Sequence, residues 1–245
     1  RSIRVNTLKT TVEEIKKRLS KDWKLTPVPW CEYGFWIEGE RRDVGNLTEH
    51  AIGLIYIQEA ASMIPPIALD PKPGEIVLDM CASPGSKTTQ IAQLMQNKGT
   101  LIANDFTGIR VQPLVINLQR CGITNVITTV MHGQRFKEMQ FDKILVDAPC
   151  SGTGTIRKSL KTLLMWNPGM IKRLAHTQKD LLQTGFNCLK KGGTIVYSTC
   201  SLEPSEDEAV VSNLLQNNAD AEIEEINLDI KRSEPVLTYE GQNYD

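Results

Sequence analysis

The sequence contains no Cys-x-x-Cys pair; its six cysteines stand apart at positions 31, 81, 121, 150, 188 and 200. That spacing excludes the usual zinc motifs, and no metal is expected. No apolar run approaches the roughly eighteen residues of a membrane span, so no membrane is expected among the partners. No signal peptide is legible: the chain opens Arg1-Ser2-Ile3-Arg4 and runs into a polar helix. Reduced thiols in a cytoplasmic, intracellular setting are therefore expected, not a disulfide framework. The dinucleotide pattern Gly-x-Gly-x-x-Gly is missing. So is the phosphate loop Gly-x-x-x-x-Gly-Lys-Ser/Thr, because Cys81 and Ser86 stand where its two glycines would. Internal repeats and low-complexity segments are absent as well. Finally, no acid occurs between Asp147 and Asp180, while Arg157, Lys158, Lys161, Lys172, Arg173 and Lys179 all fall there.

The acids are elsewhere. Residues 203–245 carry twelve acids and two bases, so the net charge of −1 conceals a basic body and an acidic end. A basic run commonly means a solvated helix face. An acid-free run of this length beside a thiol suits a phosphate-bearing partner better.

With 245 residues and 40% hydrophobic content, the chain can bury one substantial core and a small second lobe. Residues 1–45 read as a small α/β lobe. Arg4 to Leu8 is a short strand, Thr11-x-x-Glu14 is a capping box opening a helix, and Trp23 to Ile37 is aromatic and proline-punctuated. A helix near Gln58 to Met63 is expected to stop at Pro65-Pro66, although Pro66 can also start a turn. Residues 46–245 read as the main domain. Strands are predicted at 76–79, 100–104, 126–130, 143–147 and 194–198, with a further one at 221–226. Helices are predicted at 88–95, 111–120, about 170–189 (ended by Gly192-Gly193) and 206–217. This alternation predicts a Rossmann-like α/β fold, a parallel sheet with helices on both faces.

Two segments carry the chemistry: Asp147-Ala148-Pro149-Cys150-Ser151-Gly152 and Ser198-Thr199-Cys200-Ser201. Each follows a β-branched strand, so both thiols are delivered to the C-terminal edge of the sheet, where open α/β sheets bind ligands. Two thiols at one such edge point to covalent chemistry. Cys31, Cys121 and Cys188 lack that context and read as core. A third segment, Asp79 to Thr89, leaves a strand, turns through small residues and enters a helix. The turn Cys81-Ala82-Ser83-Pro84-Gly85-Ser86-Lys87 can bring backbone amides against a nucleoside-type cofactor. Asp105, ending the next strand, is placed for ribose hydroxyls or, alternatively, as a helix cap. Arg110 is grouped with the same site.

Taken together, these three segments, with Arg4-Val5-Asn6-Thr7-Leu8-Lys9 and Gln58-Glu59-Ala60, resemble the Nop/Sun-type RNA (cytosine-5)-methyltransferases. The likeness runs from residue 4 to about 210. Thr153 to Lys158 and Met63 to Pro66 are more similar to the archaeal tRNA-modifying branch. The resemblance implies S-adenosylmethionine as methyl donor and a cytosine in RNA, tRNA before ribosomal RNA, as acceptor. C5 of cytosine is a poor nucleophile, and a thiolate adding to C6 activates it. The resemblance makes Cys200 that nucleophile and Cys150 the helper in proton removal or release. It puts Asp147 on the base edge, also beside the cofactor, and Lys87 on the base or on Asp147. Where the family places an acid for the adenine amino group, this chain has His132. Arg157, Lys158, Lys161, Lys172 and Arg173 are the expected RNA contacts. The family's last strand is not found, so the chain is expected to be part of a longer protein. A ribosomal RNA enzyme, a non-catalytic RNA-binding relative and a DNA-type enzyme attacking through Cys150 are the alternatives; adaptor proteins are not readable.

Overall fold

The structure, a computed structural model, describes residues 1–40, 43–158, 160–239 and 241–244. The chain begins with β1 (Ser2–Val5), α1 (Val12–Leu19), β2 (Lys24–Val28) and β3 (Cys31–Glu38). Thr11 and Glu14 close the predicted capping box on α1. After the short α2 (Thr48–Ala51), β4 (Ile55–Ile57) returns to pair with β1. These strands form one antiparallel sheet in the order β2-β3-β1-β4. The expected boundary at residue 45 therefore falls inside the first lobe, because β4 contributes its fourth strand.

A second correction concerns Pro65 and Pro66. They do not stop a helix; they lie in the first turn of α3 (Ile64–Leu69), where a missing N–H costs nothing. The sheet of the main body follows as β5 (Ile76–Asp79), α4 (Ser86–Leu94), β6 (Thr100–Asp105), α5 (Gly108–Cys121), β7 (Val126–Val130) and β8 (Phe141–Asp147). Then come α6 (Lys161–Met165), α7 (Pro168–Asn187), β9 (Leu189–Ser198) and α8 (Glu208–Asn217), with the short pair β10 (Thr238–Tyr239) and β11 (Gln242–Asn243) near the end. Strand order is β7-β6-β5-β8-β9, and every pairing in this sheet is parallel.

Successive residues of each central strand point to opposite faces. Val77, Leu101 and Leu145 pack with Ile91 of α4 and Met95 just past its end on one side. Leu78, Ile102, Ile144 and Val146 pack with Leu181 and Leu182 of α7 and Val210 of α8 on the other. This is the two-sided burial that parallel sheets require. Gly192-Gly193 does not end α7: the helix ends at Asn187, and the glycines lie within β9. The strand expected at 221–226 does not form. Ile223 and Ile226 stay 69% and 40% exposed, so no burial offsets desolvating a strand backbone there.

One buried side chain ties the two sheets. Arg4 of β1 is 1% exposed. It donates to Gln58 Oε1 at 2.8 Å, to Thr89 Oγ1 at 2.7 Å and to Gln93 Oε1, the last two on α4. Burial lowers its pKa to about 10. No helix of the described residues is long and apolar enough to cross a membrane.

Candidate active site

The winding of the main sheet reverses between β5 and β8, both of which pair as direct neighbours. Such a switch point opens a crevice at the C-terminal strand ends. Asp79 closes β5 there. The turn that follows ends at Gly85, whose φ of +103° is a conformation an L side chain rarely adopts. A Cβ at that position would also meet Leu114 Cδ1 at 3.0 Å. Lys87, in the first turn of α4, crosses the crevice to Asp147 Oδ2 at 2.6 Å. The other oxygen of Asp147 accepts the Ser198 hydroxyl at 2.8 Å, which ties the end of β8 to the end of β9.

Just beyond those ends lie the two thiols. Cys150 Sγ and Cys200 Sγ are 3.1 Å apart, and the Cys200 N–H donates to Cys150 Sγ at 3.2 Å. Their shared hydrogen bond separates their acidities. It lowers Cys200 to about 7, with Lys87 acting in the same direction, and burial and Asp147 opposing. It raises Cys150, and burial raises it further. The exposed member of the pair is thus the one that ionises, and the thiolate is the reactive form.

On the β6 side of the crevice, Asp105 is buried. It accepts Ser83 N–H at 3.0 Å on one oxygen, and Phe106 N–H at 2.9 Å and Arg110 Nε at 2.7 Å on the other. Arg110 lies over the Phe106 ring at 5.4 Å, and the His132 ring sits 6.4 Å from the same ring. Cys81 is partly buried, and burial raises its pKa. Asp79 is fully buried below the turn and accepts Thr88 Oγ1 at 2.7 Å; burial raises its pKa to about 7. The structure therefore gathers Lys87, Asp147, Cys150 and Cys200 into one cluster and Ser83, Asp105, Arg110 and His132 into a neighbouring one.

The basic run divides. Arg157 and Lys158 each reach an oxygen of Glu59 at 2.5 Å, so both are held against the first lobe. Lys161, Lys172 and Arg173 are exposed. Beside them Leu163, Leu164, Met165 and Trp166 are exposed as well. Sequence reasoning missed Glu59 as a partner for these cations. It also missed Glu206, a buried carboxylate under the cysteine loops. Neither gave a local signal, since an acid before a helix reads as an ordinary helix-start residue.

Residues 66–240 match the model of the 16S rRNA methyltransferase RsmB/F family, and residues 1–60 match the N-terminal domain of 16S rRNA methyltransferase RsmF. The chain belongs to the RsmB/F family. That makes it an S-adenosylmethionine-dependent RNA methyltransferase chain, as the three motif segments led one to expect. Among its RsmB/F relatives, a tRNA (cytosine(49)-C(5))-methyltransferase of Pyrococcus abyssi is 47% identical over 99% of this chain and 79% of the relative. A ribosomal RNA small subunit methyltransferase F of Aliivibrio salmonicida is 47% identical over 98% of this chain and 53% of the relative. The chain thus spans about half the length of that ribosomal relative. A solved methyltransferase homolog from Pyrococcus horikoshii superposes with a TM-score of 0.80 at 46% identity, covering 88% of this chain and 69% of the other.

Proposed function

We propose that the chain methylates C5 of cytosine in tRNA, with Cys200 as nucleophile and Cys150 as its acid–base partner. The observation that carries this reading is the thiol pair, 3.1 Å apart, beside Lys87 and Asp147. One thiol is lowered and the other raised, which suits one attacking sulfur and one proton-handling sulfur. Cys200 Sγ adds to C6 of the base, and the electron pair moves to C5. Asp147, held by Lys87 and Ser198, accepts a hydrogen bond from the base edge and favours a proton on N3. Once C5 carries the methyl group that the donor would supply, Cys150, its own proton released to water, takes the C5 proton. The C5–C6 double bond re-forms and Cys200 leaves as thiolate.

The residues around the turn suit S-adenosylmethionine, which when bound supplies a sulfonium methyl group. Asp105 Oδ2 carries one protein hydrogen bond, which leaves a lone pair for a ribose hydroxyl. Phe106 and His132 offer ring faces to a purine. Cys81, Ala82, Pro84, Gly85 and Ser86 supply the close backbone approach. Arg157, Lys158, Lys161, Lys172 and Arg173 are assigned to RNA phosphates, and the exposed side chains of 163–166 to unstacked bases. Supporting tRNA over ribosomal RNA is the greater share of the tRNA relative's length that this chain covers. The deciding experiment incubates the protein with S-adenosylmethionine and either tRNA or 16S rRNA, then analyses nucleosides by mass spectrometry. 5-Methylcytidine in tRNA alone is the expected result; its appearance only in 16S rRNA would overturn the tRNA assignment.

A further inference from the structure

The thiols reach one another from loops that no sheet holds. Strand pairing between β8 and β9 ends at Asp147 with Ser198, before either cysteine. An S–H group is a weak donor; the loops are also joined farther along, where Gly154 N–H donates to the Cys200 carbonyl at 3.0 Å and Leu202 N–H to Thr153 Oγ1 at 2.8 Å. What lies beneath them is Glu206, at 0% exposure. Its Oε1 accepts Ser151 N–H at 3.0 Å and Gln178 Nε2 at 2.9 Å. Its Oε2 accepts the Ser201 hydroxyl at 2.6 Å and the Ser151 hydroxyl. Ser151 follows Cys150 and Ser201 follows Cys200, so one carboxylate ties both loops at the residue next to each thiol. Gln178 of α7 also donates to the carbonyl of Pro149 at 2.9 Å, on the other side of Cys150. The carbonyl of Glu206 in turn accepts the Tyr197 hydroxyl of β9 at 2.6 Å.

A carboxylate is costly to bury unless its lone pairs are filled. Here four donors fill it, and hydrogen bonds to a carboxylate are about twice as strong as neutral ones. None of these bonds goes to a sulfur. We infer that Glu206 is a positioning residue, which holds the two loops so as to set the separation of Cys150 and Cys200. The inference rests on reading the thiols as a reacting pair, but its test requires no RNA.

The full chain is treated with iodoacetamide between pH 5.5 and 9, and labelling at each cysteine is followed by peptide mass spectrometry. In the parent protein Cys200 reacts first, with a midpoint near its lowered pKa of about 7. In Glu206→Gln, checked as folded by circular dichroism, the midpoint rises by about one unit, so labelling at pH 6 slows about tenfold. With substrate RNA, kcat falls on the order of a hundredfold, the effect of a displacement of about 1 Å, while KM changes little. Ser201→Ala and Ser151→Ala each remove one hydroxyl and keep the carboxylate. Both shift the midpoint the same way by less, and they decide the matter if Glu206→Gln does not fold. A folded Glu206→Gln, or both serine variants, with the parent midpoint would overturn the inference.

Discussion

Lys87 Nζ lies 2.6 Å from Asp147 Oδ2, so the helix after β5 is joined to the end of β8 across the point where the strand order reverses. Lys87 is 14% exposed and Asp147 30%, so the ion pair is largely shielded from water. Lys87→Met leaves the Asp147 carboxylate without its cation at a cost of about 1–3 kcal/mol. For a chain of this size each kcal/mol lowers the melting temperature by about 2–4 °C. The loss of turnover is expected to be much larger, about a hundredfold or more, because the base edge loses a fixed partner. Wild-type turnover in a destabilised Lys87→Met would mean the pair serves the fold alone.

The two cysteines are expected to fail differently. Cys200→Ala abolishes turnover and any covalent protein–RNA species. Cys150→Ala still adds to the base through Cys200 but releases slowly, so an adduct survives denaturing electrophoresis. The opposite pattern, with a trapped band only in Cys200→Ala, would make Cys150 the attacking sulfur.

Acidity gives an independent check. Because the hydrogen bond from Cys150 is the largest cause lowering Cys200, Cys150→Ala should return Cys200 toward the ordinary value of 9.0. Alkylation of Cys200 then rises through a more alkaline midpoint than the wild-type value of about 7. Coincident profiles would show that Lys87, not the partner thiol, governs the ionisation.

Asp79 links the crevice to stability. Burial raises its folded-state pKa from 3.8 to about 7, so the folded chain holds the proton more tightly than the unfolded one. That contribution is complete below about pH 4 and is lost as pH rises through about 7, with a slope of up to about 1.4 kcal/mol per unit. Asp207, raised to about 6 by burial, acts with the same sign. In thermal melts without cofactor, Asp79→Asn should gain on the wild type from pH 5 to about 7 and level off above it. A constant gap across that range would refute the assignment.

The cations at Arg157 and Lys158 are held by Glu59. Glu59→Gln should release both and tighten RNA binding at low salt. Replacing both cations with Ala should flatten the log–log salt slope by about 1.4, or about 0.7 for each single-strand phosphate contact. An unaltered slope would make the pair a lobe-to-lobe tie without RNA contact.

The parallel sheet, the cysteine loops and the turn after β5 were legible because their signals are local. β-Branched runs mark the strands, and short motifs mark the strand ends. Three kinds of feature were not legible. Whether Pro65-Pro66 ends a helix or starts one depends on the 3-10 turn before it, Ala61–Met63. Whether 221–226 pairs depends on a neighbour that its alternation does not specify. Glu206 and Glu59 acquire their partners from residues 55 and 98 positions away, as the bonds to Ser151 and Arg157 show. No window along the chain reports such distances.

Arg4 changes what the division of this chain means. The two matching family segments meet between residues 60 and 66, as though the lobe could be exchanged as a cassette. Yet the guanidinium of the first strand fills the acceptors of Thr89 and Gln93, two and six residues past Lys87 on the same helix. Removing the lobe would leave that helix with polar groups facing a vacated slot. The segments match separate families of domain but are continuous in mechanics, and a load placed on the lobe reaches the helix that carries Lys87 through Arg4 and through the Gln58–Gln90 bond.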